Sequence, residues 1–338
     1  MVNPRSSLLT LISLLLVLTS LSPLAGCSGP GTSQNRGEDA FLQAAREKID
    51  RDHIERVIGY LASEETGGRA TGSPRMEEVR SFLVARMEEV GLEPAQILGL
   101  GDFRQTFPVP AKNCFLENAS EEGVVEGVNL VGTIPGETDE LLLITANYDG
   151  MGRDPVSGGI YPGADYNASG VAAALEIARF LCSLPNKPSW TVGIALLDGE
   201  ECGGLGSSAL AQLLEDRGLR DRCRVINLEG LGGGQGDYMD IWDQNYKKNR
   251  PTVEALLEAA GDLGVEVELG GADPGTSASV FFLYHIPAVS CDWSWFDRKE
   301  HQHFHRVTDT LENMNPENTR KVASVVALAS CRMAWPTP

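Results

Sequence analysis

Three short apolar runs, at residues 141–145, 191–197 and 225–228, constrain the fold of this chain more than any other feature. A run of that length without polar alternation belongs to a strand buried on both faces. Such strands pair in parallel when helices carry the chain back across the sheet. Helical periodicity lies between and beyond the runs, at 171–184, 207–217, 252–263 and 316–334, and further strands are expected at 265–269 and 288–291. The rhythm predicts an α/β protein: a three-layer sandwich with a mostly parallel central mixed sheet flanked by helices. Ahead of it, residues 38–61 read as one or two amphipathic helices and 75–90 as another, stopped by Gly91. Strands are expected at 103–109, 114–116 and 128–133.

The first residues read as an address. Arg5 is the one charge before an apolar run at 8–21, which is too short to span a bilayer comfortably. The run ends at Leu24-Ala25-Gly26-Cys27, the pattern of a bacterial lipoprotein cleavage site with Cys27 as the acylated thiol. We therefore expect a lipoprotein signal peptide at 1–26, a polar tether at 27–38 and a single domain at 39–338. The protein would sit in the cell envelope, facing outside the cytoplasm, held to the membrane by its lipid anchor. The net charge of −19 argues against nucleic acid as a partner, because phosphates need basic patches. Outside the cytoplasm the cysteines beyond Cys27 are free to form disulfides. Sequence does not choose among their pairings, and buried free thiols are the other reading.

Polar clusters follow the buried strands, where open α/β sheets place their ligand sites. Asn147-Tyr148-Asp149 follows the first run and Asp198-Gly199-Glu200-Glu201 the second, while Glu229-Gly230 follows the third. Between them Asp165-Tyr166-Asn167-Ala168-Ser169-Gly170 opens a helix, and His305-Arg306-Val307-Thr308-Asp309-Thr310 lies near the end.

Together with the Gly68–Ser73 loop and the segment 129–136, this order resembles the zinc exopeptidases that include bacterial leucyl aminopeptidase, aminopeptidase Y, glutamate carboxypeptidase II and glutaminyl cyclase. The resemblance runs from about Leu61 to Leu311. It implies the zinc aminopeptidase fold and a pair of zinc ions. Glu200 matches the general base, Glu201 and Glu229 match acidic ligands, and His305 matches the last histidine ligand. Asp149 matches the carboxylate that steadies the first histidine ligand. Two ligand positions depart from the pattern: that first histidine is Asn147 here, and the bridging aspartate is Tyr166. Thr276-Ser277-Ala278-Ser279 also stands where the family often has Ser-Asp.

An amide oxygen is a poor substitute for imidazole on zinc. A phenol must lose a proton of pKa about 10 to bind well. We therefore expect at most one zinc and doubtful two-zinc peptide hydrolysis. A degenerate or binding role for a peptide or protein amino terminus is favoured. The alternative is an active single-zinc exopeptidase or a glutaminyl cyclase-like enzyme. His301, His303 and His305 alternate, so an extended segment would point all three to one face and let His301 or His303 complete a shifted site. Loop histidines are the simpler reading, as core packing is for Trp293, Trp295 and Phe296.

Overall fold

The three apolar runs become neighbouring strands at the middle of a nine-stranded sheet. The computed structural model describes residues 34–115, 122–234, 236–294 and 301–335. The chain enters through helices α1 (Gln34–Lys48), α2 (Arg51–Leu61) and α3 (Met76–Glu89), then strands β1 (Glu93–Pro94), β2 (Arg104–Pro110), β3 (Val124–Ile134) and β4 (Thr138–Asn147). Helix α4 (Ser169–Cys182), strand β5 (Trp190–Leu197), helix α5 (Leu205–Asp216) and strands β6 (Cys223–Leu228) and β7 (Tyr238–Trp242) follow. Helix α6 (Arg250–Leu263), strand β8 (Glu266–Gly270), helix α7 (Ser277–Leu283), strand β9 (Ala288–Trp293) and helix α8 (Pro316–Ala334) complete it.

The strand order is β1-β3-β5-β4-β6-β9-β7-β8, with β2 also paired to β3. Strands β5, β4, β6 and β9 run parallel, while β3 and β7 join them antiparallel. The sheet is thus mixed and parallel at its centre. Alternation along β4 divides the core: Leu142, Ile144 and Ala146 face α4 and α8, whereas Leu141 and Leu143 face α5 and α7. Burial on both faces is why the run carries no polar residue between Leu141 and Ile144.

Several elements differ from expectation. Cys114 and Phe115 are not in a strand, and Leu116 lies outside the described residues: Pro108 and Pro110 cannot donate to a ladder, β2 stops at Pro110, and a 3-10 turn at Ala111–Asn113 leads to Cys114. Helix α1 already begins at Gln34, inside the stretch expected as a tether. Gln34, Arg36 and Glu38 are good helix formers that need no buried face to extend a helix by a turn. Strand β7 and the short α7 were not foreseen. Residues 1–33, with the proposed signal peptide and Cys27, lie outside the described residues. No described helix is long and apolar enough to cross a membrane.

Candidate functional site

The parallel strands β5, β4 and β6 end side by side. Asn147, the last residue of β4, stands in register with Leu197, the last of β5, and Glu229 follows the end of β6. Their loops are held from below by buried polar groups. Arg69, fully buried, donates to the carbonyls of Tyr148 (2.9 Å), Pro162 (2.6 Å), Gly163 (3.1 Å) and Leu61. It ties the Gly68–Ser73 loop to both site loops. Burial holds its guanidinium down at about 10, still a cation at neutral pH. Gly68 has φ +78° and approaches Gly152 so closely that a Cβ would lie 2.0 Å from its carbonyl oxygen. A side chain cannot occupy that place.

Asp198, at the start of the turn that carries Glu200 and Glu201, accepts from Arg80 (2.9 Å), the Val128 N–H (3.0 Å) and the Thr71 hydroxyl (2.7 Å). Within the turn the Gly203 and Gly204 N–H groups bond the Glu200 carbonyl, both at 2.9 Å. The Glu201 N–H donates to Asp149 Oδ2 at 3.1 Å. Asp149 and Glu201 are therefore adjacent, with the Asp149 carboxylate supporting the turn. Its other oxygen, Oδ1, is buried without a hydrogen-bond partner.

The two substituted positions are fixed by their neighbours. Asn167 Oδ1 accepts from the N–H groups of Gly170 (3.1 Å) and Gly230 (3.3 Å), which settles the orientation of that amide. Its Nδ2 must then donate, to the Leu228 carbonyl and to Asn147 Oδ1, each at 2.8 Å. Asn147 is left presenting Nδ2, a buried donor without a partner, where a metal would need a lone pair. Tyr166 directs its hydroxyl proton at Glu229 Oε2, 2.9 Å away. Glu229 Oε1 accepts from Asn227 Nδ2 (2.6 Å) and the Ser277 N–H (3.0 Å). His305 Nε2 lies 3.3 Å from Glu201 Oε1 and stacks on Phe304 with ring centroids 3.8 Å apart.

Charge crowding dominates the electrostatics. Burial, followed by Glu229, Glu201 and Asp149, holds the Glu200 carboxyl well above its usual range. Burial, then Asp198 and Glu201, does the same to Asp149. Glu229 is pushed up to about 7 by burial, against the pull of its three donors. Burial and the neighbouring Glu229 and Glu200 raise the Tyr166 phenol well above 10, so it remains protonated at neutral pH.

Two of these residues, Asn147 and Tyr166, offer poor metal ligands as they are bonded here. Among the described residues no group of three or more His, Cys, Asp or Glu side chains is arranged to hold a metal ion. Tyr166, which the resemblance matches to the bridging aspartate, keeps its proton and donates a hydrogen bond to Glu229, and the unpartnered atom of Asn147 is a donor, not a lone pair. The other histidines do not repair the gap. Residues 301–306 turn rather than extend, with the Phe304 N–H on the His301 carbonyl and the Arg306 N–H on that of His303. The alternating, same-face projection is thereby corrected. His301 is buried with Nδ1 2.6 Å from Asp165 Oδ2 and Nε2 2.7 Å from the Trp293 carbonyl, so both ring nitrogens are engaged. His303 is half-buried and bonds the Thr308 hydroxyl.

The sequence did not assign these pairs a role. Asp165 points away from Glu229, toward His301 and the Gly232 N–H (2.7 Å), and Asp309 accepts from the N–H groups of Asp165 (2.9 Å) and Tyr166 (3.2 Å). Trp293 is a core residue whose indole donates to the Gly236 carbonyl. Trp295 and Phe296 lie outside the described residues. Beside Tyr166 opens a pocket of about 190 Å³ bounded by Glu229, Asp273, Thr276, Asp292 and Phe304.

The pattern of peptidase family M28 matches residues 129–330, which include each of these loops from Asn147 to His305. The chain belongs to peptidase family M28. A probable zinc metalloprotease of Pyrenophora teres f. teres is 31% identical over 245 residues, covering 66% of this chain and 50% of that protein. Aminopeptidase YwaD of Bacillus subtilis is 26% identical over 194 residues, covering 56% of this chain and 40% of its own length. The M28 chain thus spans about half the length of the curated relatives it matches. Among solved structures it is similar in fold to the aminopeptidase from Aneurinibacillus sp. strain AM-1, with TM-score 0.68, 15% identity and coverage of 87% and 96%. It is likewise similar to Porphyromonas gingivalis glutaminyl cyclase, with TM-score 0.66, 19% identity and coverage of 84% and 98%.

Proposed function

We propose that this M28 protein is a lipid-anchored binding module outside the cytoplasm, whose site no longer assembles a two-zinc centre. The observation that carries the reading is the hydrogen bond from the Tyr166 hydroxyl to Glu229. A protonated phenol stands where the family places a carboxylate shared by two ions, and it consumes a lone pair of a second ligand position. Without a metal-activated water of lowered pKa, Glu200, whose carboxyl burial and its acidic neighbours hold above its usual range, has no suitable proton donor to act upon. The pocket beside Tyr166, with Glu229, Asp273 and Asp292 on its walls, suits a positively charged group such as a peptide or protein amino terminus.

One observation favours a single-zinc reading. Two ligands on one tetrahedral zinc sit about 3.3 Å apart, given bonds of roughly 2.0 Å. That is the separation of Glu201 Oε1 and His305 Nε2.

Elemental analysis after equilibration with a modest excess of zinc separates the readings. The binding-module reading expects well under one ion per chain and negligible hydrolysis of aminoacyl anilides. The double change Asn147→His and Tyr166→Asp should move the content toward two ions and give chelator-sensitive hydrolysis, with each single change falling well short of the pair. A peptide with a free amino terminus should bind the wild type in calorimetry, and its N-acetylated form should not. A robust wild-type rate, abolished by chelators and by Glu200→Gln, refutes the binding-module reading. One zinc per chain, lost in His305→Ala, establishes the single-zinc alternative.

A further inference from the structure

Cys114 and Cys202 belong to segments 88 positions apart, yet their Sγ atoms stand 2.9 Å from one another. That is less than 1 Å beyond the ~2.05 Å of a formed disulfide. Among the described residues no other two cysteines are within hydrogen-bonding reach. Both side chains are buried in a small apolar cluster with Phe107 and Val109, separate from the two main cores. A cluster of that size contributes little burial energy, and yet it anchors the turn that carries Glu200 and Glu201. Beside this apolar packing, the two segments are also joined by a long hydrogen bond, 3.5 Å, from Asn113 Nδ2 to the Cys202 carbonyl.

We propose that Cys114 and Cys202 form a disulfide that staples the carboxylate-bearing turn to the end of β2. One cysteine thiolate attacks the S–S bond of a disulfide-bearing oxidant, such as glutathione disulfide or a thiol–disulfide oxidoreductase. The resulting mixed disulfide releases one thiol. The second thiolate attacks that mixed disulfide, closes the Cys114–Cys202 bond and releases the oxidant's second thiol. Two cysteine protons and two electrons leave the protein, and the oxidant is reduced to its dithiol equivalent. Oxidation belongs to the folding stage, since both side chains are enclosed and withdrawn from exchange once the chain is folded. The bond then fixes Glu200 and Glu201 relative to β2 without any metal to organise them. Its formation in the cell rests on the reading that the chain is exported; the pairing itself rests on geometry alone.

The test uses the full-length protein recovered from membranes, alkylated under denaturing conditions before and after reduction and then mapped by peptide mass. Cys114 and Cys202 should appear in one cross-linked peptide, with Cys182, Cys223, Cys291 and Cys331 alkylated without reduction. A second arm reduces and unfolds the same protein and refolds it with glutathione disulfide. Alkylation of both cysteines in both arms, or a cross-link between other cysteines, overturns the pairing. A free pair from membranes that closes on refolding upholds the pairing and overturns the exported location. The oxidised protein should melt on the order of 5 °C above the reduced wild type. Using reduced wild type as the reference keeps the result independent of whether Cys114→Ser or Cys202→Ser folds. Equal melting temperatures would remove the staple role.

Discussion

Replacing Tyr166 with phenylalanine isolates the hydrogen bond on which the binding-module reading turns. The ring and its edge contact with Phe304 (centroids 4.7 Å apart) remain, and only the hydroxyl that donates to Glu229 is lost. Glu229 is 2% exposed and keeps Asn227 and the Ser277 N–H as donors. Its folded pKa of about 7 lies above the ordinary 4.5. The native state therefore binds more protons than the unfolded chain between those values. Glu229 lowers stability progressively as pH rises through that window, by on the order of 3 kcal/mol once it is ionised. The Tyr166 hydroxyl offsets part of that penalty only while Glu229 is charged. A hydrogen bond to a charged group contributes about 1.5–3 kcal/mol, against about 1 kcal/mol for a neutral pair. Tyr166→Phe should accordingly lower the melting temperature by roughly 4–8 °C at about pH 8.5, and by only about 2–3 °C at about pH 6. Differential scanning calorimetry on chelator-treated protein reads both values. Equal losses at the two pH values, or no loss at the higher one, would show that the hydroxyl does not serve an ionised Glu229.

Other perturbations test the surrounding frame. His301→Gln should destabilise by about 3 kcal/mol at about pH 6 in urea unfolding, because it strands the Asp165 carboxylate. Burial alone would lower the His301 pKa, but Asp165 outweighs it and raises it. The loss should therefore be full below the ordinary 6.5 and shrink as pH rises through the higher folded value; a loss that grows with pH would contradict the ion pair. In Gly170→Ala the new Cβ would lie 2.5 Å from both Asn167 Oδ1 and the Leu228 carbonyl, so about 2–3 kcal/mol should be lost in the same assay. A neutral result would mean that α4 does not press on the end of β6. Cys27→Ser should abolish fatty-acid labelling, and a variant that still labels and fractionates with membranes would refute the proposed anchor.

Much of the fold is legible along the chain because a strand buried on both faces announces itself without reference to its partners. Strands β4, β5 and β6 lie where their apolar runs are, and α8 spans Pro316–Ala334 as expected, with Asn315 capping it and Pro316 in its first turn. Strand β7 escaped notice because Asp240 sits at its centre, in register with Asp292 of β9. A charge in a short run erases the apolar signal, although the folded strand is buried. Helix α7 has seven residues and follows Pro274 and Gly275, too little for a period to emerge.

The site divides along the same line. The residue types at the strand ends, the carboxylates Asp149, Glu200, Glu201 and Glu229 with His305, and the substitutions at Asn147 and Tyr166 are properties of the sequence alone. Their consequences belong to the tertiary structure. Only folding brings the Tyr166 hydroxyl to Glu229, 63 positions away, and lets two backbone N–H groups orient Asn167 so that Asn147 presents a donor. Likewise only folding turns His301 away from the site onto Asp165, 136 positions distant, and sets Cys114 against Cys202. Hydrogen bonds and thiol contacts act over about 3 Å, so what each of these groups does depends on which distant segment comes within that reach.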